Sequence, residues 1–418
     1  MQITTFAVLA LAVLLFGLVS RRAERSILTP PIAFVALGAL AGMSGLGWLE
    51  LDVEDEVIHT LAEITLVLIL FTDAARINIR TLFAERQLPI RMLLVGLPLT
   101  VAFGAGVAAW MHPGWSIYAA AVLATILAPT DAALGQAVVS NKSVPLRIRQ
   151  SLNVESGLND GLALPLLLVF MSACAAGHSE TPTYWILFGI KQVTLGPLAG
   201  IAVGVIGGKL ILAAVARQWM NHTFQELSSL SLAVLAFAGA ELIGGNGFIA
   251  AFVAGMALGN TASDACESLL EFGEAEGQLL TLLVFTLFGA LMLPPALAHA
   301  EAMDWVYAVL ALTLFRMVPV ALSLIGAGLR PRTVLFLGWF GPRGLATVLF
   351  ALLVLEESMV SEAEAIGTVA YLTVALSVLL HGITAYPLAD RFGRWMAGLS
   401  KSEEEHKQVT EMPARIRM

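Results

Sequence analysis

The sequence predicts an all-α polytopic membrane protein, with about 13 transmembrane helices, inverted repeats and two broken crossing helices. Three observations predict this. First, 58% of the 418 residues are hydrophobic and only 13% are charged, against about 25% charged in soluble domains. The mean hydropathy of +0.83 agrees. A chain this long and this apolar cannot cover a water-facing surface, so a lipid bilayer is its natural solvent. Second, windows of about 20 mostly apolar residues, the length that spans a bilayer, recur along the chain. Third, two of these windows are interrupted near their middles by proline and glycine beside a charged residue.

The expected spans cover residues 3–19, 27–46, 61–77, 92–111, 115–139, 150–171, 184–212, 227–243, 248–259, 279–297, 305–329, 334–355 and 366–388. The first differs from a secretory signal, whose positive charges precede the apolar run. Here Arg21, Arg22 and Arg25 follow it, so it reads as an uncleaved span with its N-terminus outside. The eighth and ninth spans are separated only by Gly244, Gly245, Asn246 and Gly247, and the ninth is short.

Lysine and arginine set the orientation. With the N-terminus outside, about 19 of the 23 Lys and Arg fall in inner loops or the tail, and none falls in an outer loop. The outer loops are acidic, as at residues 52–56 and 356–364. The C-terminus is then inside. Residues 1–390 form the transporter-like membrane region, and 391–418 a short, polar, partly disordered cytoplasmic tail.

The fifth span carries Ala128-Pro129-Thr130-Asp131, and the twelfth carries Gly341-Pro342-Arg343-Gly344. Proline removes a helix hydrogen bond and glycine frees the backbone. Simple proline kinks would explain the bends but not the charge beside each, because lipid tolerates neither free backbone nor charge. Broken helices at matching places in two halves point to a midplane binding site.

Ionisable residues inside a membrane read as functional. The sixth span is densest, in Asn153-Val154-Glu155-Ser156-Gly157-Leu158-Asn159-Asp160-Gly161. On a helix, Asn153, Ser156 and Asp160 share one face, with Asn159 beside them. A hard alkali cation needs oxygen ligands. This face offers carboxylate, hydroxyl and amide oxygens, Asp131 adds a second carboxylate, and the freed Thr130 carbonyl adds a backbone oxygen. Interhelical glue can account for one hydroxyl or amide, but poorly for two Asp, a Glu and an Asn near one depth.

Two arginines also lie within spans. Arg stays charged, so Arg316 needs a carboxylate, for which Glu155 is the expected partner. Arg343 is expected to compensate the dipoles of the broken helices. Lys191 and Lys209 are expected to snorkel, Asp73 and Glu63 to lie near opposite ends of the third span, Glu241 to be structural and His381 to pack. Gly200, Gly204 and Gly208 form a small-residue stripe that permits close helix contact, within one protomer or between two.

From Ala128 to Gly161 the sequence resembles the monovalent cation/proton antiporters, in the NhaP-like branch of electroneutral sodium/proton exchangers. Phe71-Thr72-Asp73-Ala74, the run from Gly247 to Gly255, Arg316 and Gly341-Pro342-Arg343-Gly344 extend the resemblance, in order, through nearly the whole membrane region. The resemblance implies a 13-helix inverted-repeat fold and a homodimer. It implies a mobile core domain around residues 61–171 and 279–388, with a dimerisation domain from the remaining helices. It implies an ion site of Asp160, Asp131, Ser156 and the Thr130 carbonyl, with Glu155 and Arg316 as an ion bridge. The Asn159-Asp160 pair implies one cation for one proton.

The expected activity is therefore exchange of Na⁺ or Li⁺ for H⁺, with K⁺/H⁺ exchange by the same mechanism as the alternative. A bare carboxylate at midplane is costly to carry across, so an Asp160 site moves readily only when it holds a cation or a proton. A cation channel and an intramembrane aspartyl hydrolase using Asp131 and Asp160 are the other classes the residues permit. An oxygen-rich site with Ser156 and Asn159 fits cation ligation better than a shared-proton pair over a water. No cofactor is expected. The formal charge of −8, with no large basic patch, argues against nucleic acid as a partner. Cys174 and Cys266 are expected on opposite faces, too far apart to bond. The expected location is the cell membrane, as in a bacterial inner membrane.

Overall fold

The computed structural model describes residues 3–23, 26–49, 56–84, 88–175, 182–356, 359–399, 404–407 and 409. The described residues are helical throughout, joined by short turns, with no strand among them. Among the described residues, nine helices are long and apolar enough to cross a membrane: Ile3–Ala23, Ile58–Ala75, Leu88–Met111, Leu146–Ala175, Leu187–Ala216, His222–Leu242, Ala275–His299, Ala302–Ser323 and Ala363–Ala397. Four shorter apolar helices, Pro30–Ala41, Ile117–Ile126, Gly247–Thr261 and Leu345–Glu356, take the remaining expected places. The fold class is therefore the one the sequence predicts. The last helix runs to Ala397, beyond the expected end of the span at 388.

Local chemistry accounts for the helix ends. Ser116 accepts from the Ala119 N–H, Asn221 from Phe224 and Asn246 from Ile249, each capping the helix that follows. In each place a preceding side chain meets one of the backbone donors that the first helical turn leaves unpaired. Glu241 accepts from the Gly247 N–H at 2.7 Å, so the residue expected to be structural helps to start the Gly247–Thr261 helix.

That short helix is the hub of one half of the molecule. It packs most closely against the Pro182–Ala216 helix on one side and the Glu56–Ala75 helix on the other. The small residues explain the closeness. A Cβ at Gly200 or Gly204 would overlap the Ala250 or Ala254 carbonyl, and one at Gly255 or Gly259 would overlap the Phe71 or Ala75 carbonyl. The glycine stripe of the seventh span therefore serves a contact inside the protomer.

Both interrupted spans are broken. The first runs Ile117–Ile126, then an extended stretch, then Ala132–Val139. The second runs Pro331–Trp339, then 340–344, then Leu345–Glu356. At 1.5 Å per residue no half exceeds about 18 Å, so each break lies at depth. The Leu146–Ala175 helix, about 45 Å long, passes beside the first break and carries the polar run of the sixth span.

Outside the described residues lie most of the acidic 52–56 stretch and half of residues 391–418. The side chain of Cys266 is also outside them, so the two-cysteine expectation is open. Cys174 is buried and is in no disulfide among the described residues.

Candidate functional site

A helix broken inside a bilayer exposes backbone donors and acceptors that need partners. Here each broken end has one. The two breaks lie side by side, with the Asp131 N–H donating to the Pro342 carbonyl at 2.8 Å. Asp131 Oδ1 accepts from the Ala133 and Leu134 N–H groups at 2.7 and 3.2 Å. Its Oδ2 accepts from the Leu345 N–H at 2.7 Å. One buried carboxylate thus caps the N-terminal, positive ends of both restarting half-helices. Three amides occupy three of its roughly four lone-pair directions, which leaves about one for a further partner.

The opposite polarity is met by Arg343. Its Nη1 donates to the Ala128 and Pro129 carbonyls at 3.1 and 3.0 Å, just past the end of the first half-helix. Thr347 donates to the Ile126 carbonyl at 3.1 Å. Compensation of the broken-helix dipole is what the sequence suggested for Arg343, and this geometry provides it.

Arg316 and Glu155 form a bidentate pair, Nη1 to Oε1 and Nη2 to Oε2, the latter at 2.7 Å. Both side chains are 3% exposed, so neither charge has water as an alternative partner. The expected pairing of these two residues is found. The glycines of Gly341-Pro342-Arg343-Gly344 make room for the charges. A Cβ at Gly341 would overlap the Arg316 guanidinium, and one at Gly344 would overlap the Asp131 carboxylate.

Between these charges lies the polar cluster of the sixth span. Asn159 Nδ2 donates to Thr130 Oγ1 at 2.6 Å. Thr130 Oγ1 and Ser156 Oγ are 2.9 Å apart. Thr130 and Asn159 are 1% exposed and Ser156 8%. Thr130 therefore contributes its hydroxyl to the cluster, which the sequence reading had limited to its carbonyl. The Asn159 Oδ1 is buried with no hydrogen-bond partner among the described residues. Asp160 follows Asn159 and stands one turn beyond Ser156 on the same helix face. It is half-buried, with its Oδ1 shielded from solvent. The first broken span and the sixth span thus bring Thr130, Asp131, Ser156, Asn159 and the Asp160 face together, with Glu155–Arg316 and Arg343 alongside.

Phe252 packs on Gly161, the neighbour of Asp160. One turn away, Phe248 lines a cavity of about 330 Å³ whose polar lining includes Glu63, Glu241, Glu356, Gln192 and Asn246. Glu356 also pairs with His59. At the other end of the molecule, Arg147 donates to the Glu404 carbonyl and to its Oε2, the latter at 2.7 Å.

Three features escaped the sequence reading. His381, expected to pack, is hydrogen-bonded to the Trp339 carbonyl at 2.9 Å and to Ser377. Asp73 lies near the end of the third span, as expected, but is buried there at 8% exposure. Glu405, in the tail, is fully buried and accepts from the Arg330 N–H and the Thr333 hydroxyl at 2.8 and 2.9 Å. The signal that could have found His381 is the break itself, whose Arg343 N–H needs an acceptor and meets it at Ser377, one turn from His381.

The chain is similar to known transporters over most of its length. It is 26% identical over 399 residues to the K⁺/H⁺ antiporter NhaP of Alkalimonas amylolytica, covering 95% of this chain and 67% of that one. It is 24% identical over 379 residues to the K⁺/H⁺ antiporter NhaP2 of Shewanella sp. strain ANA-3, covering 90% and 64%. The chain thus spans about two thirds of the length of these curated relatives. The fold matches the sodium proton antiporter MjNhaP1 of Methanocaldococcus jannaschii with a TM-score of 0.76 at 21% identity, covering 93% of this chain and 98% of that one. Residues 8–391 match the family described as sodium/hydrogen exchanger, transmembrane. The chain belongs to this family of membrane-embedded monovalent cation/proton antiporters, which are transporters and not enzymes.

Proposed function

We propose that the protein exchanges Na⁺ or Li⁺ for H⁺, one for one, at a single site centred on Asp160. The observation that carries this reading is the buried oxygen cluster where the first broken span meets the sixth. Ser156, Thr130 and the open Asn159 Oδ1 lie beside the Asp160 face, with Asp131 bridging both breaks. Oxygen ligands of this kind suit a hard cation. Glu155 is held by Arg316, which leaves Asp160 as the carboxylate that alternates between cation and proton. Transport follows from competition. An occupied site is close to neutral and crosses, whereas a bare carboxylate in low dielectric is held back. Coupled 1:1 exchange moves no net charge, so the membrane potential does not drive it.

In this reading the core comprises residues 61–171 and 279–388 and moves like an elevator against the remaining helices, which form the interface of a homodimer. The Arg147 end faces the cytoplasm by the Lys/Arg bias, and a bacterial inner membrane is the setting. No resident cofactor takes part. K⁺/H⁺ exchange at the same residues is the second reading, and the names of the two relatives favour it.

The test is proton movement in proteoliposomes holding a preset pH gradient, read by a pH dye after adding Na⁺, Li⁺ or K⁺. Dissipation by Na⁺ or Li⁺, unaltered by an imposed potential, supports the first reading. A response to K⁺ alone supports the second. A rate that follows the potential rules out 1:1 exchange, and cation flux without proton movement favours a channel.

A further inference from the structure

Among the backbone groups at the second break are the Trp339 carbonyl, where one half-helix ends and which also accepts from the Gly341 N–H at 2.9 Å, and the Arg343 N–H, before the next begins. Both are met by one helix, Ala363–Ala397. The Arg343 N–H donates to Ser377 Oγ at 2.6 Å. Ser377 Oγ lies 3.1 Å from His381 Nδ1. His381 Nε2 lies 2.9 Å from the Trp339 carbonyl oxygen. All three anchoring residues, Arg343, Ser377 and His381, are fully buried.

A carbonyl can only accept, so Nε2 carries a proton toward Trp339; in the neutral ring Nδ1 is then the acceptor for the Ser377 hydroxyl, and the Ser377 backbone carbonyl lies 3.1 Å from the same nitrogen. The Ser377 hydroxyl is then free to donate to Nδ1 while its oxygen accepts from Arg343. The bonds run in one direction, from Arg343 N–H through Ser377 and His381 to Trp339 O. Ser377 and His381 are one helical turn apart on one face, so both ends of the 340–344 segment are fixed to a single rigid element. The His381 ring also packs on Trp339, with centroids 5.0 Å apart.

The segment so bracketed touches the candidate site directly. Pro342 accepts from the Asp131 N–H and Leu345 donates to the Asp131 carboxylate. Thr130 precedes Asp131 and holds Asn159 and Ser156. A shift of the segment is therefore a shift of Asp131 and Thr130 relative to the Asp160 helix.

We infer that His381 and Ser377 are positioning residues for exchange: together they bracket the second break and thereby set the cation affinity of the Asp160 site. This rests on the function proposed above. A purely structural part would lower the amount of folded protein and its Tm, and leave the KM of the folded fraction unchanged.

The test compares wild type with H381F, H381Q, S377A and the double variant H381F/S377A in proteoliposomes. The cation KM is taken from gradient-dissipation traces over a range of cation concentration, and Tm is measured on the same preparations. H381F keeps a ring of similar size and deletes both nitrogens, whereas H381Q keeps a donor near the reach of Nε2. H381F and S377A are expected to raise KM about 3- to 10-fold, the range a lost hydrogen bond gives. H381Q should stay within about twofold. The double variant should rise no further than the worse single one, because the bonds form one chain. A wild-type KM in H381F or S377A, whatever the Tm, overturns the inference. If H381F does not fold, S377A decides alone. A wild type that moves no protons with any cation would instead overturn the exchange reading, and this inference with it.

Discussion

Asp131 Oδ2 accepts the Leu345 N–H at 2.7 Å, so a carboxylate on one broken span caps the half-helix that restarts in the other. The contact exists because residue 344 has no side chain. A Cβ there would occupy the position of the Asp131 carboxylate. Gly344→Ala is therefore expected to break the cap. It should cost about 1–3 kcal/mol, the penalty for a buried polar group left unmet, and lower exchange at least about tenfold by displacing Asp131. Tm and proteoliposome exchange rates check this. Near-wild-type values for both would show that the crossing tolerates a wider gap.

Glu155 and Arg316 make the second prediction. Removing one partner of a buried ion pair strands the other charge, whereas removing both can be nearly neutral. Glu155→Leu and Arg316→Leu should each destabilise the protein by about 3–5 kcal/mol. The double variant should lose far less than the sum. Thermal unfolding in detergent measures all three. Strict additivity would mean that the pair does not act as a unit.

The tail supplies the third. Glu405 accepts from the Arg330 N–H and the Thr333 hydroxyl at the start of the Pro331–Trp339 half-helix. Glu405→Ala should cost about 1–3 kcal/mol and appear as a lower Tm. An unchanged Tm would mean that the tail does not hold that helix end.

Glu404 gives a pH dependence. The hydrogen bond from Arg147, helped by the charges of Lys407 and Arg147, holds its carboxyl below the usual carboxylate range. A folded-state pKa below the unfolded one stabilises above the unfolded pKa, and the effect is lost as pH falls through the folded value. Glu404→Gln should therefore lower Tm slightly at neutral pH. The difference should close in acid, below the normal range of a Glu. A Tm difference that widens as pH falls would contradict the assignment.

Much of the site was legible in the sequence because the bilayer leaves so few explanations for polar residues. Arg316 inside a span demands a carboxylate, and Glu155 was the nearest in depth. Asp131 follows from a charge beside a proline break, and Ser156 and Asp160 on one helical face, with Asn159 beside them, follow from periodicity. The double cap made by Asp131 did not, because its partner Leu345 lies 214 residues away and nothing in either segment names the other. The same holds for the glycines at 200 and 204. Small residues announce a close contact but not with whom, and the partner is the Gly247–Thr261 helix of the same protomer. His381 was missed because a lone histidine in an apolar run has no pattern. Accounting for the backbone groups at the break would have asked for an acceptor for the Arg343 N–H, which Ser377, one turn from His381, provides. Glu405 was missed because a short polar tail carries no periodicity.

The central claim is that one carboxylate, Asp160, carries cation and proton in turn. The most direct measurement is cation-driven proton movement by Asp160→Asn in proteoliposomes, beside wild type, with Tm recorded on both. The account predicts that the variant folds with a Tm near that of wild type and dissipates no pH gradient on addition of Na⁺, Li⁺ or K⁺. A folded Asp160→Asn protein that still exchanges protons for any of these cations would contradict it.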